Sequence, residues 1–183
     1  TGVVPFQTDT LASLMRRIVF DPPPAPASLN PRVVEPVAGV LMKALAKNPE
    51  DRYPSGQAFA EAFAGAVQTV RDDTLKGHLM AAATLLKKND FDGAEAQMQS
   101  VLNFDPTHAE ASKGIALVKA SRIEHLLGLA DARLKAGDFS AAAGFLDQVL
   151  AREPANNRAL KLKADATARS QWMVRYDAAA LNL

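Results

Sequence analysis

Residues 86–106 read LKKNDFDGAEAQMQSVLNFDP, and residues 134–154 read LKAGDFSAAAGFLDQVLAREP. The two stretches lie 48 positions apart, and the positions they share are those that shape a helical hairpin. Asn89-Asp90 and Gly137-Asp138 supply the turn, because Asn and Gly tolerate a left-handed backbone and Asp caps the helix that follows. Phe91 and Phe139 then open an apolar stripe that runs through Ala94 and Ala142 to Val101-Leu102 and Val149-Leu150. The small alanines sit where paired helices must approach closely. Pro106 and Pro154 end each second helix, since proline cannot continue one. A hairpin of this kind buries its apolar face only by stacking on a neighbour.

Working outward, the stretch after Pro106 is too long for a single ordinary hairpin helix. Its pattern predicts one elongated helix from about His108 to Ala136, with Gly114 and Gly128 as places where it could break into two. At about 1.5 Å per residue such a helix would exceed roughly 40 Å. A further helix should follow Pro154 and carry Trp172, which with Met173 and Tyr176 forms either an apolar stripe closing the stack or, less favoured, a ligand platform.

Towards the amino terminus the texture changes. Nine of the eleven prolines precede residue 71, whereas alanine dominates afterwards. Arg71-Asp72-Asp73-Thr74 marks the boundary; it is short, polar and free of glycine, which predicts a stiff, helical junction rather than a flexible linker. Three helices are predicted before it. Asp9 caps the first, with Leu11, Leu14, Met15 and Ile18 on one face. The run Asp21-Pro22-Pro23-Pro24-Ala25-Pro26 then forbids helix. A second helix follows Pro36 and stops at Asn48-Pro49, with Asn as a left-handed cap. Ser55 caps a third, whose Phe59, Phe63, Val67 and Val70 should be buried. No strand is predicted, and the expected fold class is all-α.

Composition narrows the function classes. The 183 residues carry 21 Lys plus Arg against 20 Asp plus Glu, a net charge of +1, which gives no reason to expect nucleic acid or an anionic membrane as partner. The absence of cysteine excludes disulfides and thiol chemistry and fits a cytoplasmic protein. No apolar run is long enough to span a bilayer. The start, Thr1-Gly2-Val3-Val4-Pro5, resembles neither a signal peptide nor an initiating methionine and reads as the beginning of an excised piece.

The turn-Phe-x-x-Ala…Pro pattern resembles the tetratricopeptide repeat (TPR) over about residues 75–160. TPR units recur at about 34 residues. The extra 14 residues here equal about four helical turns, which preserve the facing of the helix. The resemblance implies a domain at 75–183 that binds a protein or peptide, with Lys76, Lys87, Glu124, Asp131 and Lys135 turned towards the groove lined by first helices. Their mixed signs do not make a uniformly basic groove, and a solvated face is the bland alternative. Two repeats and a partial third are near the minimum for a stable stack, which also raises self-association into a homo-oligomer.

Residues 1–70 resemble the end of the large lobe of bacterial serine/threonine protein kinases. The resemblance rests on TGVVPF (1–6, with Pro5 and Phe6), DTLASLMRRIVFDPPPAPASLNP (9–31) and LMKALAKNPEDRYPS (41–55). It implies a structural role for Arg52, which in that family pairs with a glutamate of an upstream Ala-Pro-Glu motif. The proline run reads as a loop of that fold rather than a ligand for a proline-binding domain.

The Gly-rich phosphate loop, strand lysine, His-Arg-Asp loop and Asp-Phe-Gly metal site that such a kinase needs are absent from these 183 residues. Asp90-Phe91-Asp92-Gly93 lies at the repeat turn and reads as structural. His78, His108 and His125 are too far apart in sequence for a helical metal pair and read as solvated or half-buried helix residues. The expectation is therefore no catalytic, cofactor or metal residue in this piece, with ATP and magnesium belonging to the parent kinase. A non-catalytic scaffold or a pseudokinase that retains kinase-derived helices is the alternative. Without its glutamate, Arg52 should turn to solvent or to a carboxylate such as Glu50 or Asp51.

Overall fold

The computed structural model describes residues 2–180, and within them every side chain except those of Val174 and residues 176–180. Thr1, which opens the TGVVPF segment, and residues 181–183, which close the second segment, lie outside the described residues, as does the side chain of Tyr176. Eight α-helices are described: α1 Leu11–Phe20, α2 Pro26–Leu29, α3 Glu35–Ala44, α4 Gly56–Lys87, α5 Phe91–Phe104, α6 Ala109–Lys135, α7 Phe139–Arg152 and α8 Asn157–Ala180. A 3-10 turn spans Pro49–Asp51, and no strand occurs among the described residues. The fold is all-α. The chain divides into two compact units, Thr1–Gly77 and His78–Leu183. The polar stretch Arg71–Thr74 lies inside α4.

In the first unit the helix ends depart from expectation. Thr10, not Asp9, caps α1: its backbone is extended and its Oγ1 accepts from the Ser13 amide at 3.3 Å. Pro26 begins the one-turn α2, where a proline costs nothing because the first-turn amide lacks an intrahelical partner anyway. Helix α3 stops at Ala44 rather than at Asn48. Asn48 is not left-handed (φ −74°); its Oδ1 instead accepts from the Glu50 amide at 3.2 Å and caps the 3-10 turn. Ser55 does cap α4, accepting from the Ala58 amide at 3.1 Å. The stripe on α4 is not buried: Phe63 and Val67 are exposed and Phe59 and Val70 half-buried, while Ala66, Leu75 and Ala82 of the same helix are covered. Tyr53, Phe59 and Phe63 stack in a row instead, with ring centroids 5.8 and 5.9 Å apart.

The second unit is built from two copies of one turn. At the end of α4 the Asp90 amide donates to Leu85 O and the Asn89 amide to Leu86 O, with Asn89 left-handed at φ 58°. At the end of α6 the Asp138 amide donates to Arg133 O and the Gly137 amide to Leu134 O, with Gly137 at φ 77°. This double bond pattern closes the carbonyls of a finishing helix. The same aspartates then open the next helix. Asp90 Oδ1 accepts from the Gly93 amide and Asp138 Oδ1 from the Ala141 amide, each at 3.0 Å. One residue thus ends one helix and starts another.

Helix α6 is continuous over 27 residues, so neither Gly114 nor Gly128 breaks it. Its length is about 40 Å. His108 caps it from outside, its Nδ1 accepting from the Ala111 amide at 3.2 Å, rather than lying within the helix. Gly114 is there for contact: a Cβ would come within 2.6 Å of the Met98 methyl on α5. The first part of α6 packs on α5 through Phe91, Ala94 and Val118, against Leu85 and Leu86. Its later part packs on α7 and α8 through Ile123, Leu127, Ala130, Leu146, Val149 and Ala159. Trp172 and Met173 on α8 are exposed, so they do not form a buried closing stripe.

Candidate functional site

The kinase-like motif residues organise helix ends rather than chemistry. Helix α3 stops at Ala44, which leaves the Ala46 and Lys47 carbonyls without helical amides to accept from. Arg52 satisfies both, Nε donating to Ala46 O at 2.7 Å and Nη2 to Lys47 O at 3.3 Å. It is exposed, and its acceptors are these carbonyls rather than the carboxylates of Glu50 or Asp51. Lys47 in turn donates from Nζ to Ile18 O (2.5 Å) and Arg17 O (3.3 Å), placing a positive charge at the negative end of α1. The same ammonium lies 4.7 Å from the centroid of the half-buried Phe6 ring. Pro5 is exposed. Phe6, Lys47 and Arg52 therefore form a relay that ties the first residues to α1, α3 and the 3-10 turn.

The five residues expected to face a groove are only partly gathered. Glu124 and Asp131 lie two turns apart on α6, and Arg158 of α8 reaches both, at 3.2 and 3.7 Å. Lys135 stands exposed in the last turn of the same helix. Lys76 and Lys87 are exposed on α4, Lys76 within the first unit and Lys87 within the second. The acidic members are thus answered by Arg158, a residue that the reading of the sequence did not single out.

A second charged group was not foreseen at all. Arg122 on α6 places Nη2 2.7 Å from Asp92 Oδ1 and 3.6 Å from Glu95 Oε2, both on α5. Its guanidinium lies 5.7 Å from the centre of the Phe91 ring, against which His125 packs at 5.5 Å. Lys119 meets Glu95 at 3.7 Å. The Arg122 side chain is only 14% exposed, and its Nε is buried without a hydrogen-bond partner. A signal did exist in the sequence: 48 positions on, Asp92, Glu95, Lys119 and Arg122 correspond to Ser140, Ala143, Thr167 and Ser170. The charged group is private to the first copy.

The remaining candidates are structural. Asp90-Phe91-Asp92-Gly93 is the helix start just described, and His78 is half-buried with Nδ1 2.7 Å from Gln97 Oε1. Among the described residues no group of three or more His, Asp or Glu is placed to hold a metal ion. No helix of the described residues is long and apolar enough to cross a membrane.

No family model and no solved structure matches the chain. Curated proteins do. The chain is 43% identical over 63 residues to the serine/threonine-protein kinase Pkn1 of Myxococcus xanthus, covering 34% of this chain and 9% of that one. It is 35% identical over 77 residues to the tyrosine-protein kinase MasK of the same species (42% and 11%). To the serine/threonine-protein kinase PknD of Mycobacterium tuberculosis it is 32% identical over 91 residues (49% and 13%). The chain thus spans about a tenth of the length of the curated relatives it matches. Part of this all-α chain is related in sequence to bacterial protein kinases.

Proposed function

We propose that the chain is a piece of a bacterial serine/threonine protein kinase, in which the first unit supplies the closing helices of the large lobe and the second is a TPR-like module that binds a protein or peptide. In this reading the parent uses ATP and magnesium, while these 183 residues transfer no phosphoryl group. The observation that carries it is the pairing of sequence relatedness to kinases with a first unit whose polar ends are satisfied and whose apolar faces are not. Leu11, Met15, Ile18, Val19 and Phe20 all lie exposed on α1. A helix whose ends are capped and whose apolar face is bare fits one that packs against a larger core. The kinase relatedness spans 63 to 91 residues, against a first unit of 77. The repeated turn and the small residues at the helix crossings support the TPR-like reading of the second.

Calorimetric titration of the chain with ATP and magnesium tests the non-catalytic part. No saturable heat is expected, and saturable magnesium-dependent binding would overturn it. For the parent, the longer protein that contains these residues is expected to phosphorylate serine or threonine. Phosphorylation confined to tyrosine, the acceptor in the name of MasK, would overturn that assignment.

A further inference from the structure

Two small clefts of about 280 and 300 Å³ lie where α5, α6 and α7 meet, and Arg122 and Arg152 line both. The first is bounded by Glu95, Lys119, Arg122, Ile123, Arg152 and Glu153. Phe91, Leu126 and Leu129 add apolar wall to the second. We propose that this region receives a carboxylate side chain of a partner polypeptide, held by Arg122 and Arg152, on a surface separate from the Glu124–Asp131 face.

Four observations carry the inference. Arg122 has a donor to spare: Nη2 meets both carboxylates, whereas Nε has no acceptor although it is buried. A buried guanidinium donor without an acceptor is costly, and the group is matched by geometry to a carboxylate. Asp92, which holds Arg122 now, is itself 93% exposed, so little anchors it and an incoming acid can take its place. Arg152, exposed at the end of α7, donates to the Gln148 carbonyl at 3.0 Å and, among the described residues, has no carboxylate within ion-pair distance. Finally, the next copy of the hairpin packs with Ser140, Ala143, Thr167 and Ser170 at the corresponding places. Stacking of the hairpins therefore does not require the charges.

The balance of charge selects the ligand. Once an incoming acid displaces Asp92 from Arg122, the cations Lys119, Arg122 and Arg152 face Glu95 and Glu153, which leaves one positive charge in the first cleft. That suits a singly charged carboxylate, and it disfavours a phosphate dianion, which would meet two carboxylates with one net cation. Apolar wall from Ile123, Leu126 and Leu129 favours an acidic residue flanked by leucine-like neighbours.

The test uses the whole chain labelled with nitrogen-15 and three capped tetrapeptides: one glutamate among leucines, its glutamine counterpart and its phosphoserine counterpart. The glutamate peptide is expected to shift the Arg122 and Arg152 Nε–H signals saturably, and more weakly as salt rises. Arg152→Ala should weaken that binding about tenfold or more, Arg122→Lys should weaken it as well, and Asp92→Ala should tighten it. Equal response to the glutamine peptide, or tighter binding of the phosphoserine peptide, would overturn the proposal. So would glutamate-peptide shifts centred on Glu124, Asp131 and Arg158, an outcome that leaves the broader peptide-binding reading standing.

Discussion

The first unit leaves Leu11 72% and Phe20 73% exposed, while the second holds Ala94, Ala142, Leu146 and Val149 at 0%. Both regions are helical, and both cap their helices with care. Thr10 and Lys47 close the two ends of α1 as fully as Asp90 or Asp138 closes a hairpin turn. The difference lies in what the apolar faces meet. In the second unit the apolar faces of α5, α6 and α7 meet neighbouring helices across small residues. In the first, α1 presents its face to solvent. Local hydrogen bonding therefore sets where a helix begins and ends, and tertiary supply of a partner decides whether its stripe becomes a core.

That contrast can be broken at its strongest point. Leu146→Ala removes a fully buried side chain from the α6–α7–α8 core. It should cost about 2–5 kcal/mol, read as a lower urea midpoint for unfolding. A smaller effect is expected at the turn. Gly137→Ala forces a side chain into a left-handed backbone at φ 77°, at a cost of about 1–2 kcal/mol by the same measurement. The smallest comes from the first unit. Phe20→Ser should change stability by no more than about 0.5 kcal/mol in this chain, because the ring is already in water. The last substitution sharpens the comparison when repeated in the proposed parent kinase: if a kinase lobe covers α1 there, the same change becomes strongly destabilising.

The hairpin turns were legible because their determinants are local. Asn89, Asp90, Gly137 and Asp138 act within six residues of themselves, and the elongated α6 followed from counting turns. The end of α3 was not legible, since Arg52 competes for the Ala46 and Lys47 carbonyls from outside the helix. Phe63 and Val67 marked an apolar face correctly but could not report that both side chains stay exposed. The Arg122 group was missed for a third reason. Its partners lie 30 and 27 residues away, and helical periodicity carries no information about which face of α5 meets which face of α6. Only the mismatch between the two copies betrays it.

The two alanine pairs at the helix crossings, Ala94 with Ala142 and Ala111 with Ala159, are all sealed at 0% exposure. Larger side chains there would push the helices apart, so these positions act as a fixed joint common to both hairpins. The charged residues around Arg122 lie off that joint. A designer could therefore treat each hairpin as an interchangeable part, keep the joint constant and rewrite the outer residues of one copy without disturbing the other. Charge and assembly are written in separate letters of the same helix.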